Sequence, residues 1–293
     1  MGADPSFANL PWSELEARLS DGRAPRTTGW NDGGDGPAFG AKRQPYIAPT
    51  RIDQIDGEPY AELHCRSNFS FLRGVAHPEQ LAETAVALGL RGLALTDRNG
   101  LYGVVRFAEA ARVLELPTVF GAEIGCDEGD VVVLARSPRG YGHLSSAISA
   151  GQLAGEKGAP RFNIAGLSEF CAGEWRVLTG GASGVLAAAL HHDGPAIAER
   201  RLRQLIAAFG REHVLVELWD HGDPLDSVRN DELVRLAHRC DVECVATNDV
   251  VYATVSQHRL ATAVAAVSRR ASLDAIDPEL PPAATAYLRS GGE

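Results

Sequence analysis

The stretch His64-Cys65-Arg66-Ser67 closes an apolar, strand-like run, YAELHC, and offers arginine two residues after a histidine, where a second metal ligand could sit. A histidine at a strand end suits a divalent cation, because a neutral imidazole has a lone pair to give. Polar residues recur at the ends of the apolar runs that follow: Asp97 and Arg98, Glu123, Gly180 and Gly181, Asp220 and His221, then Asn248 and Asp249. Imidazole and carboxylates gathered in this way point to a metal site or to the remains of one. Arg66 raises the question of which, since a guanidinium stays protonated and has no lone pair.

Such residues act together only if one scaffold brings the strand ends to one face. From Tyr60 onward, short β-rich runs (YAELHC, GLALTD, TVFGAEI, DVVVLA, WRVLTG, HVLVELW, ECVATN) are interspersed with helical patterns near 78–88, 103–114, 142–153, 183–190, 195–209, 225–240 and 255–269. Strands that alternate with helices predict a parallel sheet, and this many units in about 200 residues predict an α/β fold closed as a seven-stranded barrel. An open doubly wound sheet is the alternative. In α/β barrels chemistry gathers at the carboxyl ends of the strands, where these polar residues fall. No G-x-G-x-x-G or P-loop pattern follows a strand, which removes the usual nucleotide reading.

Composition narrows the classes further. The 293 residues carry a net charge of −10 and offer no basic face for strong duplex binding by this chain alone. Five cysteines without a C-x-x-C pair argue against a disulfide framework or zinc knuckle and for a reduced, cytoplasmic compartment. No apolar run approaches the roughly 20 residues that span a bilayer, so no membrane partner is expected. Residues 1–58 read as a short amphipathic helix, LPWSELEARL, followed by a polar Gly/Pro-rich linker; residues 59–270 read as the barrel and 271–293 as a C-terminal segment.

The stretches LHCRSNFSFLRG, LALTDRNGLYGVVRFAEAA, VFGAEI, LTGGASG, VELWDHG and VATNDVVY together resemble the polymerase and histidinol phosphatase (PHP) domain. They cover about residues 60 to 255 and look most like the PHP domain of C-family bacterial DNA polymerase III alpha-type subunits. The N-terminal helix, the polar linker and the closing YLRSGGE resemble the error-prone, damage-inducible branch. The resemblance implies a distorted seven-stranded, TIM-like (β/α)7 barrel that holds up to three metals where its ligands are kept, with phosphoesterase or 3′-5′ exonuclease chemistry.

Carried over by position, the family's ligand set is degraded here. His64, Glu123 and Asp249 match and are the residues expected to bind metal if any is bound. Arg66, Arg73 and Arg98 replace ligands, Asp130 stands at a histidine position as a substitute, Gly181 at that of a cysteine or histidine, and Val251 at that of the final histidine. The surviving residues cannot complete two or three coordination shells. No cofactor is therefore expected, apart from weak residual Zn or Mn. Without its second histidine, His64 reads as a hydrogen-bonded core residue rather than a ligand. Arg66, Arg73 and Arg98 are expected to form an inward ionic cluster with Asp97, Glu123 and Asp249.

The resemblance further implies a place beside the palm, fingers and thumb of a polymerase, in damage tolerance and translesion synthesis, with a sliding clamp and mutagenic-complex accessory proteins as partners. No palm, fingers or thumb fits after YLRSGGE, so the chain is expected to be an isolated N-terminal domain, a split-gene product or a truncated reading frame, without nucleotidyl transfer of its own. A catalytically silent module is the leading expectation. The alternatives are a residual metal-dependent phosphoesterase or exonuclease and an anion-binding regulatory module.

Overall fold

The computed structural model describes residues 45–55, 57–276, 280 and 283–293. The helix expected within LPWSELEARL and most of the polar linker lie outside the described residues. One compact unit runs from Tyr46 to Glu293. Its first residues are bonded to the helices beneath them: the Tyr46 hydroxyl donates to Glu83 (2.7 Å), and the Ile55 N–H to the Ala87 carbonyl (2.9 Å).

Seven strands form one sheet in chain order: β1 (Ala61–Glu62), β2 (Gly92–Leu95), β3 (Thr118–Cys126), β4 (Gly129–Ala135), β5 (Trp175–Leu178), β6 (Val214–Leu218) and β7 (Glu243–Ala246). The longer helices are α1 (Pro78–Ala87), α2 (Val104–Val113), α3 (Pro138–Ala154), α4 (Ile164–Cys171), α5 (Val185–His192), α6 (Pro195–Phe209), α7 (Asp226–Cys240) and α8 (His258–Arg269). Local chemistry starts several of them. Ser137 and Asn163 cap α3 and α4 by accepting the N–H groups of Gly140 (3.0 Å) and Gly166 (2.8 Å), and Pro78, Pro138 and Pro195 occupy first-turn positions.

The sheet is not wholly parallel, and this corrects the sequence expectation. β4 runs antiparallel to both β3 and β5. Only Asp127 and Glu128 separate β3 from β4, too few residues for a crossover, so the chain turns back as a hairpin. As a result the amino end of β4 meets the carboxyl end of β3, with Asp130 opposite Gly125.

The curled sheet joins its two edges at the carboxyl side. Cys65 and Val250 form a parallel bridge, in which the Arg66 N–H donates to the Val250 carbonyl (3.0 Å) and the Val250 N–H to the His64 carbonyl (2.8 Å). Apolar residues fill the space outside the sheet in two large clusters. One, around Trp175, Leu202 and Leu233, packs α3 to α7 on β3 to β6; the other, around Leu81, Leu93 and Phe107, packs α1 and α2 on β2. These clusters are the main stabilising mass of the fold. They leave the carboxyl mouth to polar residues.

Candidate functional site: an ion-paired barrel mouth

The mouth is built from strand ends. His64 follows β1, Arg98 follows β2, Glu123 lies in β3, Asp130 opens β4, Glu217 lies in β6 and Asp249 follows β7. His64, only 1% exposed, stands at the centre. Its Nδ1 faces Glu217 Oε1 at 2.7 Å, and its Nε2 faces Glu123 Oε2 at 3.2 Å and Asp249 Oδ1 at 3.5 Å. Burial alone would lower the basicity of this ring. The charges of Glu217 and Asp249 and the bonds to Glu123 and Glu217 outweigh that penalty and hold its pKa well above the ordinary imidazole value. Carboxylate oxygens thus face both ring nitrogens of His64, an arrangement that favours its protonated form.

Arg66 spans two of the same carboxylates. Its Nη1 donates to Glu123 Oε2 (2.7 Å) and its Nη2 to Asp249 Oδ1. Arg98 grips Asp130 in a fork, Nη1 to Oδ2 (2.6 Å) and Nη2 to Oδ1 (2.9 Å), and also reaches Glu123 Oε1. Both Glu123 oxygens are therefore taken by guanidinium. Desolvation pushes the Glu123 and Asp249 carboxyls up, but Arg66 and His64 prevail and hold both below the usual range. Two glycines make room. A Cβ at Gly125 would lie 2.5 Å from Arg98 Nη2, and one at Gly181 would collide with Asp249 Oδ2.

Two expected members of the ionic cluster are placed otherwise. Asp97 points into a nest of neutral donors, accepting from the Ser67 N–H (2.9 Å), the Ser70 hydroxyl (2.8 Å) and the Gly103 N–H (3.1 Å), and it pairs with no arginine among the described residues. These bonds tie the loop after β1 to the loop after β2. Arg73 is exposed at the rim and makes no ion pair with any described residue. Val251 turns to an apolar patch with Val75, Tyr252 and Ala286.

Two buried carboxylates escaped the sequence reading. Glu217, fully buried, orients His64 and also accepts the Thr247 hydroxyl (2.5 Å). Glu62, equally buried, accepts the N–H groups of His64 (2.8 Å) and Asn248 (2.9 Å) and the Tyr60 hydroxyl (2.8 Å), fastening the first strand to the last. The available signal was a glutamate inside each of the apolar runs HVLVELW and YAELHC.

One ligand atom each from His64, Glu123 and Asp249 can come within 4.8 Å of one another, the geometry of a metal triad. The chemistry of that set does not fit a cation. The two carboxylates already share the Arg66 guanidinium, and both ring nitrogens of His64 already face carboxylates. A metal would have to displace Arg66 from both carboxylates and take a His64 ring nitrogen from its carboxylate partner.

The family described as PHP domain matches residues 62–221. An error-prone DNA polymerase of Mycobacterium bovis is 44% identical over 297 residues, covering 96% of this chain and 27% of the relative. One from Cutibacterium acnes is 43% identical over 299 residues, covering 97% of this chain and 26% of its own. The chain thus spans about a quarter of the length of these curated relatives. A Bifidobacterium adolescentis structure, provisionally described as a metal-dependent phosphoesterase, aligns over 66% of this chain and 87% of its own at a TM-score of 0.49 and 18% identity.

Proposed function

The chain belongs to the PHP domain family, and from that premise we propose that it is a catalytically silent PHP module of an error-prone DNA polymerase, serving damage tolerance and translesion synthesis. The observation that carries this reading is the Arg66 guanidinium bridging Glu123 and Asp249, the oxygens on which a metal would depend. In an active metal-dependent hydrolase of this geometry, cations would activate water and neutralise a phosphate; here fixed cationic side chains face the carboxylates instead. Residues 59–270 form the barrel module in this reading, with 1–58 and 271–293 as flanking segments. Its setting is cytoplasmic and its immediate partners are the palm, fingers and thumb of a polymerase, with the sliding clamp and accessory proteins beyond them. Among the described residues no helix is long and apolar enough to cross a membrane.

The test is hydrolysis. Purified protein with manganese or zinc is assayed on a chromogenic phosphate monoester and on the 3′ end of single-stranded DNA. No turnover above a protein-free blank is expected. Turnover abolished by His64→Ala would instead favour the residual phosphoesterase reading, for which the triad of His64, Glu123 and Asp249 supplies the motive.

A further inference from the structure

The loop after β7 faces two ways. Inward, Asp249 gives its carboxylate to Arg66. Outward, its neighbours hold the chain over 285–288. Asn248 Nδ2 donates to the carbonyls of Thr285 (2.7 Å) and Tyr287 (2.6 Å), the Val251 N–H donates to the Ala286 carbonyl (2.9 Å), and Tyr252 forms a parallel bridge with Tyr287. The Thr285 hydroxyl bonds the His221 carbonyl (2.8 Å), and His221 Nε2 bonds the Asn248 carbonyl (2.7 Å), which closes a ring around the loop. Leu288, 1% exposed, then enters the apolar cluster that holds Cys65 and Val250.

Asp249 sits between the two faces with a left-handed backbone, φ 43°, a conformation that surrounding structure must hold in a non-glycine residue. Its side chain is held by Arg66, in the space that Gly181 leaves open. We propose that the Arg66–Asp249 ion pair is a latch that sets the path of the chain over 285–288. Arg66 and Asp249 are then positioning residues: the mouth holds no reacting group but fixes the segment packed against its outer side. This inference rests on the arginine-filled mouth of the proposed function.

Hydrogen–deuterium exchange on the full chain tests it, comparing wild type with Asp249→Asn, which keeps the shape and weakens the pair, and with Asn248→Ala, which removes the two outward bonds of its side-chain amide and leaves the ion pair. The latch predicts that Asp249→Asn speeds exchange roughly tenfold or more at Val251, Tyr252 and 286–288, while α3 and α6 keep wild-type rates. Asn248→Ala should free 286–288 to a similar degree. Unchanged rates at 286–288 in Asp249→Asn, or equal acceleration in every element, would overturn the latch. Metal content of the same wild-type sample separates the two claims: stoichiometric metal would refute the silent mouth, whereas the exchange pattern judges the latch.

Discussion

At the scale of single residues, the mouth behaves as a buried ion network in which each charge is tolerable only because its partner is present. Arg66→Ala leaves Glu123 and Asp249 facing each other and should cost about 3 to 5 kcal/mol in urea unfolding. Arg66→Lys should recover only part of that loss, because an ammonium cannot bridge two carboxylates as a planar fork does. A second residue-scale prediction concerns Glu62. Burial raises its carboxyl from 4.5 to about 7 in spite of three donors. The folded state therefore holds a proton that the unfolded chain releases, so this group's contribution is fully present below pH 4.5 and is lost as pH rises through about 7. Glu62→Gln should flatten that decline by about 3 kcal/mol between pH 4.5 and pH 7, read from urea midpoints across the range. Glu123 and Asp249 act with the opposite sign: their contribution is present above the ordinary carboxylate range and is lost on acidification. The convergence of His64, Arg98, Glu123 and Asp249 was legible because each falls in or just after an apolar, strand-like run. Glu62 and Glu217 were not read, because a lone glutamate inside an apolar run signals a buried charge only once the strand's inward face is known. Asp97 was misjudged for a related reason: sequence shows its neighbour Arg98, but not the hydroxyls of Ser67 and Ser70 that fold back onto it.

Elements carry the next set of consequences. Gly181→Ala should destabilise by more than about 1 kcal/mol, because its Cβ would strike the Asp249 carboxylate and disturb the Arg66 pair. Gly142→Ala is the matched control. That glycine lies in α3 with nothing within 4 Å of an added Cβ, so the change should stabilise by roughly 0.5 to 1 kcal/mol through helix propensity. Thermal melts of the two variants give the signs directly. Helix α6 was legible end to end, because Gly194 and Pro195 open it and Gly210 closes it around an amphipathic run. Helix α4 was missed: it falls in none of the helical patterns read from the sequence, and its start depends on the Asn163 cap. The direction of β4 was also missed. Alternating strands and helices suggested parallel pairing throughout, while the Asp127–Glu128 turn dictates a hairpin, and that hairpin is what delivers Asp130 to Arg98.

At the scale of the whole molecule, the curled seven-stranded sheet of a PHP-family chain brings arginines and carboxylates together at its mouth. The net charge of −10 works against counterion-driven binding of nucleic acid. Elemental analysis of the purified protein, after incubation with manganese and zinc and removal of the excess, tests most directly whether arginine has taken the place of metal. The ion-paired mouth predicts metal far below one equivalent, unchanged by His64→Ala. Metal at one equivalent or more, lost on His64→Ala, would contradict it.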